Sequence, residues 1–470
     1  MQRVADSCVN WISNKFKEKE NFYIFCGNGN NGGGGFALAK IMYHNGFDIT
    51  VFLNENENFS KDAASNLKKI KQISGIDIFD FNDAATFNFK ENAVIIDAVF
   101  GTGLNRRTNK KEVDLITFLN GVKLPKVSID MPSGLLADQM ITDQTVIFKA
   151  DETLSFQFWK KTFLHPETGI YCGKVHILDI SLSEEFIQDE TTSDYVIDDQ
   201  LIHRIYKTRS EFSHKGNFGK TTIIAGSFGR VGAAVLAVKA ALKSGSGLTF
   251  VHAPKCGYEI LQTSCPEAIY LYGGENHHDR FQIDHDTVVG IGPSLGINTD
   301  TESAFMDFLK SCDQPMVLDA DALNIISRHS QFLARIPENS IITPHPKEFE
   351  RLFGITENSF DRVELAREKA AELGIYIVLK DHHTQIITPE KDVFYNITGN
   401  SGMAKGGSGD ALLGIITSLL AQNYSSKDAA IFGVWLHGKA GDLAAEKFSK
   451  EAMLPTDLIN ELGMVFKSLA

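Results

Sequence analysis

Short runs of β-branched and aromatic residues alternate with amphipathic stretches along both halves of the chain. That alternation predicts parallel sheets with helical crossovers, the α/β class. In the first half, FYIFCG (22–27) reads as a strand, NGNNGGGG (28–35) as a glycine-rich loop, and FALAKIMYHN as a helix ended by Gly46. ITVFL (49–53) is the next strand, and AVIID (93–97), KVSID (126–130) and GKVHILDI (173–180) are further ones. In the second half, TTIIAGS (221–227), LTFVHAP (248–254), TVVGIG (287–292), PMVLDA (315–320), SIITP (340–344) and IYIVLK (375–380) read as strands. AAVLAVKAALKSG (233–245) has helical spacing, and a second helix, DALLGIITSLLAQN (410–423), follows KGGSG (405–409). Between the halves, SLSEEFIQDETTSDYVIDDQ (181–200) is acidic, lacks Gly and Pro, and shows no sustained period. It is the expected boundary, giving domains 1–190 and 191–470.

Composition narrows the class. Of 470 residues, 43% are hydrophobic and 22% charged, ordinary globular usage. No apolar run reaches about 18 residues and the first residues lack a signal-peptide core, so a cytoplasmic protein without membrane contact is expected. The net charge of −13 argues against nucleic acid as a partner. It leaves a nucleotide possible, because local backbone dipoles bind phosphate on an acidic protein. The six cysteines form no CxxC pair and read as free thiols in a reducing compartment.

The candidate chemistry lies at the predicted strand ends. A glycine-rich segment between strand and helix brings backbone N–H groups close to an anion, although a plain tight turn has the same appearance. It is neither the dinucleotide fingerprint nor a Walker loop. Asp97 and Asp130 end strands, and residues just past the carboxyl ends of parallel strands converge on one crevice. Asn31, Asp97 and Ser133 there offer hard oxygen ligands, suited to a cation other than zinc. Capping or turn formation also accounts for such aspartates. In NSGMAKGGSGDALLG (400–414), glycines stand directly before a helix with Asp410 at its first position. Free amides there can bind a transferring phosphoryl group, with Asp410 as general base. His277–His278 and His382–His383 lack Cys or Glu at ligand spacing and read as solvated loop residues. His345, between two prolines, reads as a turn residue.

NNGGGG, DAVFGTGL, DMPSGLLAD and HPETGIYCGKVHILDI resemble the signatures of the NAD(P)H-hydrate epimerase domain family. The resemblance implies a Rossmann-like three-layer α/β/α sandwich and a potassium ion on Asn31, Asp97 and Ser133. It implies a hydrate site at Asn30, Asn31, Gly32, Gly33, Gly34, Gly101, Thr102, Gly103, Leu104, Asn105, Arg106 and Arg107, with Asp130 as acid/base. Gly34 stands where that family usually has Asp, and the chain begins in what resembles the middle of the family's leading helix. NSGMAKGGSGDALLG, HKGNFGKTTIIAGS, GPSLG, VLDADALN, TPHPKEFERL and VLKDHHTQII resemble the ADP/ATP-dependent NAD(P)H-hydrate dehydratases of the ribokinase-like superfamily. That resemblance implies a ribokinase-like α/β domain, with nucleotide at Lys380, Asp381, His382, His383, Thr384, Gly406, Gly407 and Gly409. It implies hydrate at Ala233, Gly296, His345 and Asp410, with Asp410 catalytic and Mg²⁺ on ADP or ATP. Together the two resemblances imply repair of NADH hydrate and NADPH hydrate by epimerisation and dehydration, in a homo-oligomer. A small-molecule kinase with a non-catalytic first module is the alternative.

Overall fold

A computed structural model describes residues 1–54, 58–141 and 145–470. The chain divides into two compact units, Met1–Thr191 and Thr192–Ala470. Among the described residues no helix is long and apolar enough to cross a membrane.

The first unit is built on seven parallel strands among the described residues: β1 (Asn21–Cys26), β2 (Asp48–Leu53), β3 (Asp77–Asp80), β4 (Ala93–Ala98), β5 (Lys126–Ile129), β6 (Glu152–Phe156) and β7 (Lys174–Leu178). Their order is β3-β2-β1-β4-β5-β6-β7. Strand residues alternate between two cores, as the two-residue pleat requires. Phe22, Ile24, Cys26, Val94 and Ile96 pack with Ile12, Phe36, Met42 and Ile70 of the helices on one face. Tyr23, Phe25, Ala93 and Ile95 pack with Leu115, Ile116 and Leu119 on the other. Two cores on one sheet make three layers. The sequence reading passed over β3 and β6. β3 is a four-residue edge strand with partly exposed residues. β6 is buried yet carries Thr153 and Ser155, whose hydroxyls are bonded to the Cys172 carbonyl (2.7 Å) and the Lys160 ammonium (2.7 Å).

The second unit holds ten strands among the described residues: β8 (Asp194–Ile197), β9 (Lys220–Ile224), β10 (Leu248–Ala253), β11 (Ile269–Tyr272), β12 (Val288–Ile291), β13 (Met316–Leu318), β14 (Ile341–Ile342), β15 (Tyr376–Leu379), β16 (Gln385–Ile387) and β17 (Val393–Asn396). The order is β11-β10-β9-β12-β13-β14-β15-β16-β17-β8, parallel except where β16 meets its neighbours β15 and β17. The acidic stretch 181–200 is more than a tether. It forms the helix Glu184–Asp189 and then β8, which pairs in parallel with β17 and closes that edge. Tyr195 stacks on Phe394 at 4.9 Å, and Arg367 holds Asp194 at 2.5 Å. No hydrophobic period marks β8, because only Ile197 of its four residues is fully buried.

The strand order reverses between β1 and β4 in the first sheet and between β9 and β12 in the second. A crevice opens there outside the carboxyl ends of the strands. Both candidate sites lie at these ends.

Candidate functional site

In the first unit, the segment expected as a glycine-rich loop is helical from Asn30 onward, in the helix Asn30–His44. Its glycines have packing reasons. A Cβ on Gly32 would overlap the Gly27 carbonyl, and one on Gly35 would lie 2.7 Å from the Cys26 sulfur. Gly34 is different: nothing lies within 4 Å of its missing Cβ, and it borders a cavity of ≈ 760 Å³. Asn30, Asn31, Gly101, Thr102, Gly103, Leu104, Asn105, Arg106 and Asp130 line the same cavity. Gly32 and Gly33 pack inward instead, and Arg107 meets Arg106 through its carbonyl (3.0 Å). Arg106 is locked in a bidentate pair with Glu112, at 2.9 and 2.6 Å.

Behind the cavity wall sits Asp97, fully buried. Its oxygens accept from Ser133 Oγ (2.5 Å), Ser133 N (2.8 Å), Ser128 Oγ (3.1 Å) and Val99 N (3.2 Å). Burial still pushes its carboxyl up to about 6, against the pull of these four donors. The Ser133 hydroxyl also accepts from Phe100 N (2.9 Å), and Asn31 Nδ2 donates to the carbonyls of Phe100 (2.7 Å) and Ile129 (3.0 Å). Asn31, Asp97 and Ser133 therefore belong to one network around Phe100. Asp130 follows β5 with φ +70° and accepts from Thr102 N (2.8 Å). Such a conformation costs on the order of 1–3 kcal/mol for a non-glycine residue.

In the second unit the helix Ser408–Ala421 starts behind Gly407, whose φ is +102°. Asp410 is its third residue, not its first as expected. Its carboxyl is pushed up to about 6, first by burial and then by the negative charge of Asp319, with Lys380 opposing. Lys380 Nζ is bonded to Asp319 at 2.7 Å, and both groups lie 3.5 Å from where a Cβ on Gly409 would stand. The carbonyl of Ser408 accepts from the buried His437, whose imidazole is held neutral by burial, down to about 4. The helix start thus presents free amides beside one ammonium and two carboxylates.

The other expected residues surround this point. Ala233 lies in the first turn of the helix Val231–Lys243, which packs backbone to backbone on Gly414. Gly296 N donates to Asp321 (2.9 Å), which Arg230 approaches at 3.8 Å. His345, expected as a turn residue, is a helix cap: it begins the helix Pro346–Phe353, with Nδ1 accepting from Lys347 N (3.1 Å) and Glu348 N (3.4 Å). Burial, followed by the charge of Lys380, holds its imidazole below the usual value. Asp381 is held by Arg362 at 3.3 Å. The rings of His382 and His383 meet edge to face at 4.6 Å, with His383 bonded to the Asn396 carbonyl (3.1 Å), and the Thr384 carbonyl accepts from Asn396 N (2.9 Å). Gly406 has open space around it. His278 contradicts its reading as a solvated residue: it is buried, stacks on His252 at 5.3 Å and reaches the Gly226 carbonyl at 3.0 Å. Sequence reasoning missed Asp319 and Asp321 as site residues. Their signal was available, since both stand in VLDADALN at the end of β13.

With this geometry in view, the relatives fall into place. The chain matches the family model for NAD(P)H-hydrate dehydratase over residues 221–463, and that for the YjeF-related protein N-terminus over residues 1–162. The bifunctional NAD(P)H-hydrate repair enzyme of Coxiella burnetii is 31% identical, covering 99% of this chain and 94% of its own length. The Escherichia coli enzyme of the same name is 32% identical, over 99% and 88%. Among solved structures, the ADP/ATP-dependent NAD(P)H-hydrate dehydratase of Bacillus subtilis, co-crystallised with ATP/Mg²⁺, matches with a TM-score of 0.53 at 31% identity. It covers 59% of this chain and 99% of its own. The class is that of two-part α/β enzymes whose second part is ribokinase-like. The chain belongs to the family of bifunctional NAD(P)H-hydrate repair enzymes.

The glycine geometry separates packing from site residues. Gly32→Ala should destabilise the first unit by about 1–3 kcal/mol through overpacking. Gly34→Ala should be neutral or stabilise it by up to about 1 kcal/mol, as expected for a helical glycine with open space. Denaturant unfolding of the two variants checks the pair.

Proposed function

We propose that residues 1–190 epimerise the R and S hydrates of NADH and NADPH at the Asp130 cavity, and that residues 191–470 dehydrate the S hydrate at Asp410. The observation that carries the second assignment is a base with a raised carboxyl pKa, Asp410, in the first turn of a helix with free amides and beside the Lys380 ammonium. Hydroxide is a poor leaving group, so the hydroxyl on carbon 6 of the nicotinamide ring must first be activated. Asp410 takes the hydroxyl proton, and the oxygen attacks the terminal phosphorus of ADP or ATP, breaking its phosphoanhydride bond and releasing AMP or ADP. Amides at Gly406, Gly407 and Gly409 and the charge of Lys380 stabilise the transferring phosphoryl group. The carbon 6–oxygen bond then breaks as the ring nitrogen pushes electrons in. Phosphate departs, and loss of a proton from carbon 5 restores the dihydropyridine. Lys380, Asp381, His382, His383 and Thr384 border the nucleotide, and Ala233, Gly296 and His345 the hydrate.

Among the described residues no group of three His, Cys, Asp or Glu side chains offers a metal site. That fits Mg²⁺ carried mainly by the nucleotide phosphates, where it would offset their charge. It also fits an alkali cation in the first unit, which prefers neutral oxygens around a single carboxylate. Asn31, Asp97 and Ser133 supply that donor set, and its own burial gives Asp97 reason to welcome a positive charge. Potassium there would fix the strand ends that carry Asp130. The free cysteines agree with a cytoplasmic setting.

Reduced-nicotinamide absorbance from S hydrate, recovered with ADP or ATP and Mg²⁺, tests the dehydratase. Asp410→Asn should lower kcat by at least about 100-fold. In the wild type, kcat/KM should fall as pH drops below about 6, because the base of the free enzyme must be ionised. Phosphorylated product accumulating without absorbance recovery would sink this reading in favour of a kinase. For potassium, the melting temperature of the first unit should rise by several degrees in potassium chloride over choline chloride, and Asp97→Asn should erase the difference.

A further inference from the structure

Asp130 is held from two sides, and one holder is a buried lysine that the chemistry above leaves unused. Oδ2 accepts from Thr102 N (2.8 Å), and a Cβ on Gly101 would crowd that oxygen at 2.5 Å. Oδ1 faces Lys160 Nζ at 3.5 Å, with the two side chains only 14% and 13% exposed. Lys160 follows β6, and its ammonium donates to Ser155 Oγ (2.7 Å) and to the carbonyls of Phe156 (3.1 Å) and Phe158 (3.1 Å). Three neutral acceptors use its three N–H groups and fix its position. They leave its charge to be balanced by Asp130, with Asp138 as a more distant second carboxylate. Burial of Lys160 is costly, so a position this well anchored calls for a reason. Asp130 and Phe156 border the cavity, while Lys160 stands behind them.

We propose that Lys160 is the positioning residue of the epimerase: it fixes the orientation of the Asp130 side chain at the cavity wall. This rests on the epimerase reading of the first unit. The hydrate is a hemiaminal at carbon 6. A carboxylate takes its hydroxyl proton as the carbon 6–nitrogen bond opens to an aldehyde, and hands that proton to the ring nitrogen. The reverse sequence closes the ring on the other face, so bonds and protons balance without a co-reactant. The proton passes only if an Asp130 oxygen is aimed at the hydroxyl, and an anchored ammonium 3.5 Å from Oδ1 holds the carboxyl in one orientation.

The test uses the full chain with R and S hydrates of NADH supplied separately. R hydrate reports epimerisation through the coupled dehydration, and S hydrate reports dehydration alone. Lys160→Gln keeps N–H donors for the Phe156 and Phe158 carbonyls but removes the charge. It should lower epimerisation kcat by at least about tenfold, leave KM within about twofold, and leave S-hydrate dehydration unchanged. Lys160→Arg should retain more epimerase activity than Lys160→Gln, a comparison that holds even if both lower the melting temperature. Wild-type kcat in Lys160→Gln, a loss through KM alone, or equal activity of the Gln and Arg variants would overturn the role of Lys160 while the epimerase reading stands. A wild-type chain that epimerises no faster than the spontaneous reaction would overturn both.

Discussion

At the carboxyl ends of both sheets, backbone packs directly on backbone, and the rest of each site is arranged around that contact. In the first unit Gly27 lies against the Val99 carbonyl and Gly32 against the Gly27 carbonyl. In the second, Gly292 lies against the Asp319 carbonyl, and about two turns into the helix Ser408–Ala421, away from the strand ends, Gly414 lies against the Ala237 carbonyl of the helix Val231–Lys243. No side chain fits between these segments. The contact draws a helix start down onto the strand ends and leaves its first amides facing the crevice. The motifs are therefore rich in glycine for a packing reason before any ligand is considered.

The charges follow from this closeness. Each unit sets a carboxylate at the crevice and anchors a lysine among fixed partners nearby. Lys160 stands behind Asp130, and Lys380, bonded to Asp319, stands beside Asp410. The pairings differ in their effect. Lys160 faces the crevice carboxylate, Asp130, directly. Lys380 is bound to a neighbouring carboxylate, so Asp410 keeps a repelling charge close by and stays readier to hold a proton. Asp97 takes neither role, being enclosed by serine hydroxyls and amides.

Much of this was legible in the chain. Buried parallel strands such as β1, β4 and β9 announce themselves as apolar runs, and a helix that is apolar on several faces, like Ser408–Ala421, does the same. Edge strands do not: β8 fully buries only one of its four residues, and β3 is short and partly exposed. Helix starts were displaced by a few residues because Gly and Asn have low helical propensity, and tertiary contact overrides it from Asn30 onward. Aspartates at strand ends could be picked out from the sequence, but their partners could not. Lys160 and Asp130 are 30 positions apart, and Lys380 and Asp319 are separated by 61. Nothing local in the chain ties them. His278 was misjudged for the same reason, since a polar loop in sequence folds inward over Gly226.

The acidic stretch between the units has a consequence for anyone cutting the chain in two. Its composition suggests a spacer that could be shortened or cleaved freely. Yet β8 covers the outer side of β17 with parallel backbone pairing, and Arg367 secures it at Asp194. A fragment begun after Gln200 would lose that border and bare a row of amides and carbonyls, the kind of edge at which chains adhere to one another. The apparent tether is a selvedge, and the cloth frays if the scissors fall on the wrong side of it.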